Sequence, residues 1–195
     1  MNFTRQRWAR QVVSAVIGLA LGAATVLARA QADEKVAWDA LRQGAVLLVR
    51  HANAPGVGDP ADFKLGDCRT QRNLDQTGRE QARQLGEQFA SHQIAVGAVL
   101  TSQWCRTKET AEIAFPNRGR EDASFNSFFG DSDSQPEQTA AALKILKQWK
   151  GPGALVVVTH QVNITASTGV VPTSSEGVVV RPKADGIDVV GRLTP

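Results

Sequence analysis

The chain has 195 residues, with 22 Lys and Arg against 19 Asp and Glu and a formal net charge of +3 at pH 7. Four of the basic residues and none of the acidic ones lie in the first 30 positions, which leaves 18 basic against 19 acidic side chains, or −1, for the rest. The basic character of the chain therefore belongs to its N-terminal segment and gives no support for a nucleic-acid-binding protein.

This N-terminal segment has the pattern of a secretory signal peptide. Three arginines precede an uncharged apolar stretch over residues 12–27, and Ala-Arg-Ala at 28–30 fits the small-x-small site of signal peptidase. The apolar stretch is shorter than the roughly 20 residues of a membrane-spanning helix, so we expect cleavage after Ala30 rather than an uncleaved anchor. The prediction is one periplasmic or secreted domain over residues 31–195, without stable membrane insertion.

The first half of this domain alternates helices with a strand and a long loop. Ala45–Val49 is a continuous apolar run of strand length, typical of a buried parallel strand. Residues 53–72 are rich in Gly, Pro and Asp, and loops of this length are usually functional or disordered. In chain order we predict helix 33–43, strand 45–49, loop 53–72 and helix 75–91.

The second half continues the alternation of strands and helices. Ala154–Thr159 is another buried strand by pattern, apolar up to Val158, and Ala184-Asp185-Gly186 separates two short strands of a hairpin. In chain order we predict strand 94–101, helix 104–114, an irregular segment 116–130 with a short strand near 123–125, helix 135–150, strand 154–159, helix 163–168, and strands 178–181 and 187–190.

Strands that alternate with helices indicate an α/β fold with helices on both faces of the sheet. We therefore predict a three-layer αβα sandwich with a mostly parallel central sheet. Arg50-His51, residues 102–106 and His160 each follow a different predicted strand directly. Because ligands of open α/β sheets bind at the carboxyl ends of the strands, we expect these three segments to meet.

The residues in these segments suit phosphoryl transfer. A neutral imidazole is a good nucleophile near neutral pH, since its unperturbed pKa is about 6.5. The planar guanidinium of arginine makes paired, charge-assisted hydrogen bonds to phosphate oxygens. Arg50, His51, Arg106 and His160 would supply one nucleophile and three groups that hold the transferring phosphoryl group.

The combination resembles the histidine phosphatase superfamily, which has the phosphoglycerate mutase-like fold. Arg50-His51 matches its Arg-His-Gly signature, with Ala52 in place of glycine. The other similar segments are residues 73–82 (Asn-Leu-Asp-Gln-Thr-Gly-Arg-Glu-Gln-Ala), 102–110 (Ser-Gln-Trp-Cys-Arg-Thr-Lys-Glu-Thr) and 158–160 (Val-Thr-His). The resemblance implies that His51 is transiently phosphorylated, and that Arg50, Arg106 and His160 hold the phosphoryl group.

The proton donor for the leaving oxygen is less clearly marked by the sequence. Asp131, which follows Phe-Phe-Gly, is the first candidate, and Asp133 and Glu121 are its rivals. Each of these is also readily explained as a solvated loop carboxylate.

Further phosphate or substrate contacts are predicted for Asn53, Arg72 and Ser102, with Arg69 as another loop arginine. The three histidines lack the spacing of a metal-binding motif, and the chain has no phosphate-binding loop of the Gly-x-x-x-x-Gly-Lys type. We expect no metal and no other cofactor.

Cys68 and Cys105 are the two cysteines of the chain. They either form a disulfide or remain two unrelated thiols. A pair of cysteines in an oxidising compartment is often bridged, but the sequence alone does not decide between the two. A bridge would tie the long loop to the segment that carries Arg106.

The predicted function is an exported, metal-independent phosphatase that hydrolyses phosphate monoesters, with an envelope sugar phosphate as a compatible small substrate. A protein phosphohistidine phosphatase is the first alternative, favoured by the small size of the domain. A catalytically weak phosphate-binding protein is the second, because Ala52 replaces glycine and the proton donor is unassigned.

Overall fold

The computed structural model describes residues 33–194, so the predicted signal peptide lies outside the described residues. A first helix, α1, spans residues 33–42. The other elements are β1 Val46–Arg50, α2 Gln76–Ser91, β2 Val96–Thr101, α3 Cys105–Ala114, β3 Gly119–Glu121, α4 Gln135–Gln148, β4 Ala154–Thr159, α5 Gln161–Thr168, β5 Gly177–Lys183 and β6 Gly186–Leu193. None of the helices within 33–194 has the length and apolar character needed to cross a membrane.

The strands form one six-stranded sheet in the order β3-β2-β4-β1-β5-β6. The pairs of β1 with β4, β4 with β2, and β2 with β3 are parallel. The hairpin of β5 and β6 adds two antiparallel pairings beside β1. The predicted α/β architecture with a mostly parallel sheet is therefore confirmed.

Helices cover both faces of this sheet because the buried strands present apolar side chains alternately to each face. On one face, Leu47 and Val49 pack with buried residues of α1, α2 and α3. On the other face, Val46 and Leu48 pack with buried residues of α4 and α5. Burial on both faces explains why β1 and β4 are uninterrupted apolar runs in the sequence.

The segment between α3 and α4 differs from its prediction. The short strand β3 lies at Gly119–Glu121, and residues Ala123–Phe125 form a 3-10 helix instead of the predicted strand. The Asp122 side chain accepts a hydrogen bond from the Ser124 N–H and so caps this turn. A short polar side chain that binds the backbone locally favours a turn over an extended strand.

The start of α2 is packed tightly against the loop that follows β1. Asp75 caps the helix by accepting a hydrogen bond from the Gly78 N–H. A Cβ atom at Gly78 would lie only 2.2 Å from the Asn53 carbonyl oxygen, which leaves room for glycine alone. This contact holds the residues after His51 against the helix.

Candidate active site

The carboxyl ends of β1, β4 and β2 bring the three predicted segments together. The His51 N–H donates to the Thr159 carbonyl (2.9 Å), and the Ser102 N–H donates to the Val158 carbonyl (3.1 Å). Because β4 lies between β1 and β2, these bonds place His51, Ser102 and His160 side by side. Together with Arg50, Arg72 and Arg106, the two histidines line a cavity of about 200 Å³.

His51 is buried and has a defined hydrogen-bond partner. Its Nδ1 lies 2.8 Å from the Ala52 carbonyl oxygen, an acceptor, so Nδ1 carries the proton and Nε2 keeps the lone pair. Burial lowers the pKa of His51 to about 3, and the positive charges of Arg106, Arg50 and Arg72 act in the same direction. The ring is therefore neutral, with Nε2 as its basic nitrogen.

His160 lies beside His51, with 5.5 Å between the two ring centroids. Its Nε2 is 2.8 Å from the Ser102 hydroxyl, which in turn lies 2.7 Å from the Thr107 hydroxyl. Burial, followed by the charges of the neighbouring groups, holds the pKa of His160 well below its usual value. The hydroxyl chain fixes the ring orientation, which sequence spacing alone did not indicate.

Arg50 and Arg106 both line the cavity. Arg50 directly precedes His51 in the sequence, and Arg106 lies in the first turn of α3. Arg50 Nη1 donates to the Gln161 side-chain oxygen (2.9 Å) and the Pro172 carbonyl (3.0 Å). The Nε–H groups of both arginines are buried and have no hydrogen-bond acceptor within the described part of the chain. A buried donor without a partner is costly, so these two groups are suited to an anionic ligand.

A carboxylate that the sequence did not single out also lines this cavity. Asp59 forms a two-pronged ion pair with Arg106, with distances of 2.6 Å and 3.2 Å, and accepts a hydrogen bond from Trp104 Nε1 (2.9 Å). Asp59 lies within a Gly- and Pro-rich loop, where no periodic pattern marks one carboxylate above another.

The predicted proton donors do not lie at the cavity. Asp131 and Asp133 are exposed and absent from its lining, and Glu121 pairs with Lys108 on the surface (3.0 Å). Asp131 instead accepts a hydrogen bond from the Ser134 N–H in the turn before α4. The structure thus brings none of the three carboxylates to His51.

Of the loop residues predicted as further phosphate or substrate contacts, Arg72 lies at the cavity, whereas Asn53 and Arg69 do not. Arg72 lines the cavity but donates to the carbonyl groups of Ala54, Gly56 and Gly58, so it holds the loop in place. The Asn53 side chain donates to Asp75 (2.8 Å) and does not line the cavity. Arg69 is exposed and pairs with Asp67.

Ala52, at the position of the signature glycine, is fully buried. Its side chain is buried in a small apolar cluster with Ala54, Leu74 and Ala82. Its N–H donates to the Thr110 hydroxyl (3.1 Å), which itself donates to the Arg106 carbonyl. Thr110 therefore ties the loop after β1 to α3, a role that the matched motif left unassigned.

Cys68 and Cys105 form a disulfide across 37 residues. The bridge joins the loop to the first residue of α3, directly before Arg106. The Cys105 N–H also donates to the Gln71 side chain (2.9 Å), so the loop is attached to the helix start at two points.

Replacing both cysteines by serine should lower the free energy of unfolding by about 3–4 kcal/mol, since a loop of this length is then unconstrained in the unfolded chain. Denaturant unfolding of the two proteins measures the difference. Oxidised wild-type protein should lose a similar amount when reductant is added, whereas the serine variant should not respond. Equal stability of wild-type protein with and without reductant would contradict the prediction.

Comparisons with known proteins agree with this fold. A model of the histidine phosphatase superfamily (branch 1) matches residues 46–127. No curated protein sequence matches the chain. Within residues 33–194, no three His, Cys, Asp or Glu side chains are grouped as a metal site requires.

Several solved structures are similar. The protein histidine phosphatase SixA, complexed with tungstate, has a TM-score of 0.56 at 16% identity, over 77% of this chain and 97% of its own. A phosphoserine phosphatase mutant from Entamoeba histolytica, in complex with phosphoserine, has a TM-score of 0.56 at 12% identity, over 76% and 96%. A mycobacterial glucosyl-3-phosphoglycerate phosphatase has a TM-score of 0.53 at 13% identity, over 75% and 97%.

At these identities the structural comparisons establish the shared fold. Together with the match over residues 46–127, they confirm the predicted resemblance to the histidine phosphatase superfamily and its phosphoglycerate mutase-like fold. These three structural neighbours are phosphatases.

Proposed function

We propose that this protein is an exported, metal-independent phosphatase that hydrolyses small phosphate monoesters through a phosphohistidine on His51. The observation that carries the proposal is the state of the His51 ring. The ring lines the cavity, its Nδ1–H is held by the Ala52 carbonyl, and its Nε2 keeps the lone pair. Arg50 and Arg106 line the same cavity, and their Nε–H donors have no acceptor among residues 33–194.

The reaction follows from these groups in two steps. His51 Nε2 attacks phosphorus and displaces the leaving oxygen, and water then attacks the phosphohistidine and releases phosphate. Arg50 and Arg106 offset the negative charge on the phosphoryl oxygens. His160 is held by Ser102 at the edge of the cavity and contributes a further donor when it is protonated. The arginines supply the positive charge for which other phosphatases use metal ions, and this supports metal independence.

The cavity and the predicted route of export suggest the substrate class. The cavity of about 200 Å³ holds three arginines and two histidines, which suits one phosphoryl group and a small attached alcohol. A signal peptide pattern and a disulfide are both compatible with the periplasm. An envelope sugar phosphate fits this compartment and this cavity.

A protein phosphohistidine phosphatase is the second candidate. The observation in its favour is the similarity to SixA, whose structure matches over nearly its whole length. The two activities are separated by offering the enzyme a phosphohistidine-containing protein and a sugar phosphate side by side. A preference for the protein substrate in kcat/KM would favour this candidate.

The first test is phosphate release from an aryl phosphate by residues 31–195, with chelator present and pH varied from acidic to neutral. We expect chelator-resistant turnover. Because the pKa of His51 is about 3, protonation of this residue should not reduce the rate between about pH 5 and 7. Rates that vanish with chelator would contradict metal independence. Oxyanion binding without any turnover would instead support a phosphate-binding protein.

A further inference from the structure

The Asp59 carboxylate occupies the part of Arg106 that a phosphoryl group would use. Arg106 Nη1 donates to Asp59 Oδ1 (2.6 Å) and Arg106 Nη2 donates to Asp59 Oδ2 (3.2 Å). Both terminal nitrogens of the guanidinium are thus bound to one carboxylate. The arginine side chain is 3% exposed and that of Asp59 is 19% exposed, so the pair is largely removed from water.

A carboxylate and a phosphate offer the guanidinium fork the same arrangement of oxygens. An incoming phosphoryl group can therefore use the terminal nitrogens of Arg106 only when Asp59 leaves them. Among the described residues that line the cavity, Asp59 is also the single carboxylate. The group that pairs with the arginine is thus, within this part of the chain, the one acid at the cavity.

We propose that Asp59 and the substrate exchange places: the carboxylate blocks Arg106 in the free protein and, once displaced, protonates the leaving oxygen. This inference rests on the proposed phosphatase function. It assigns the proton donor to the loop that follows β1, rather than to the segment that holds Asp131.

The charges around Asp59 explain why its protonation would follow displacement. Burial alone raises the pKa of Asp59, but the hydrogen bonds from Arg106 and Trp104 and the charges of Arg106 and Arg72 outweigh it, so the pKa lies below its usual value. Losing Arg106 to a phosphoryl dianion removes the main stabilisation of the carboxylate and adds a negative neighbour. Both changes raise the pKa, which favours the acid form.

The hydrogen bonds that remain keep Asp59 near the cavity. Trp104 Nε1 donates to Oδ2 (2.9 Å) independently of Arg106, and this leaves Oδ1 as the oxygen that can carry the proton. Arg72 holds the carbonyl groups of Gly56 and Gly58, just before Asp59 in the chain. Only the Asp59 side chain, and not the loop, has to move.

The two steps balance with Asp59 as acid and then base. In the first step, the His51 Nε2 lone pair forms the N–P bond, the P–O bond to the leaving group breaks, and the proton of Asp59 goes to the leaving oxygen. In the second step, water attacks phosphorus, its proton goes to the Asp59 carboxylate, and the electron pair of the N–P bond returns to Nε2.

The catalytic role is tested by the leaving-group dependence of Asp59→Asn. With an alkyl phosphate, which needs a proton on its leaving oxygen, kcat/KM should fall by about 10²-fold or more, the scale of a lost general acid. With 4-nitrophenyl phosphate, whose leaving group is stable as an anion, the loss should stay below about fivefold. Asp62→Asn, on the exposed part of the same loop, is the matched control.

The blocking role is tested without turnover by titrating sulfate, which remains a dianion across the range from pH 5 to 8. In wild-type protein, sulfate should bind more weakly as pH rises, because binding is coupled to proton uptake by Asp59. Asp59→Asn should bind sulfate about tenfold more tightly at neutral pH, since the competitor for the arginine is gone. His51 and His160 face the same cavity and can also take up a proton, and the other charged lining groups are Arg50, Arg72 and Arg106. The deciding quantity is therefore the number of protons taken up on sulfate binding, compared between wild-type protein and Asp59→Asn.

Two results would overturn the exchange. One is sulfate affinity and proton uptake that are the same in wild-type protein and Asp59→Asn. The other is a rate loss that is equal for both leaving groups, or that is found in Asp131→Asn and not in Asp59→Asn. A wild-type protein without phosphatase activity would instead reject the proposed function, while the sulfate titration would still decide whether Asp59 competes for Arg106.

Discussion

His51→Ala is expected to lower kcat for phosphate release by about 10⁴-fold or more, the scale of loss when the nucleophile of a covalent mechanism is removed. The His51 ring lines the cavity, and because its Nδ1 is held by the Ala52 carbonyl, the lone pair lies on Nε2. Alanine leaves the arginines in place, so the variant should still bind an oxyanion such as sulfate.

The matched control for this variant is His92→Ala. His92 follows α2 and stacks on Trp38 with ring centroids 4.1 Å apart, away from the cavity lining. The His92→Ala variant should lose some stability and keep its phosphatase activity. Rapid quenching at alkaline pH should detect a phosphorylated protein in wild type and not in His51→Ala. Near-normal turnover by His51→Ala would reject the phosphohistidine mechanism.

Arg106→Ala is expected to reduce kcat/KM by about 10²-fold or more, as removal of a preorganised donor to a developing negative charge does in other enzymes. The guanidinium is buried, and its Nε–H lacks a partner among the described residues. Steady-state kinetics with an aryl phosphate measures the change. Arg106→Lys should recover only part of the rate, because lysine keeps the charge and loses the planar fork.

The control for Arg106→Ala is Arg83→Ala, which removes a half-exposed arginine paired with Glu80 on α2. This variant should change neither kcat nor KM. Because Arg106→Ala also leaves Asp59 without its cation, thermal unfolding of both variants has to be compared with wild type. A fully folded Arg106→Ala protein with a loss below about fivefold would exclude Arg106 from phosphoryl binding.

The positions of the candidate catalytic histidines could be predicted because they depend on short-range patterns. Ala45–Val49 is apolar throughout and Ala154–Thr159 is apolar up to its last residue, which indicates strands buried on both faces. His51 and His160 lie just past the ends of these strands. Parallel pairing then places the carboxyl ends of the two strands at the same edge of the sheet, regardless of the conformation of the connecting segments. The same reasoning placed Ser102 and the start of α3.

The carboxylate at the cavity could not be predicted in this way. Asp59 and Asp131 both lie in irregular segments, and no periodicity indicates which of them faces the sheet edge. Their positions depend on contacts between residues far apart in sequence: Arg72 holds the loop carbonyl groups, and the disulfide joins Cys68 to α3. The short strand β3 was missed for a related reason, since its exposed residues carry no apolar pattern and its pairing with β2 alone defines it.

The sequence by itself thus determined the α/β class, the order of the elements and the segments that meet at the carboxyl ends of the strands, because burial on two faces imposes local patterns on strands and helices. Only the tertiary structure decided the His51 tautomer, the hydroxyl chain behind His160 and the pairing of Asp59 with Arg106. These features depend on distances of about 3 Å between groups that loops bring together, and loop conformation follows from the sum of many weak contacts rather than from any repeating pattern in the chain.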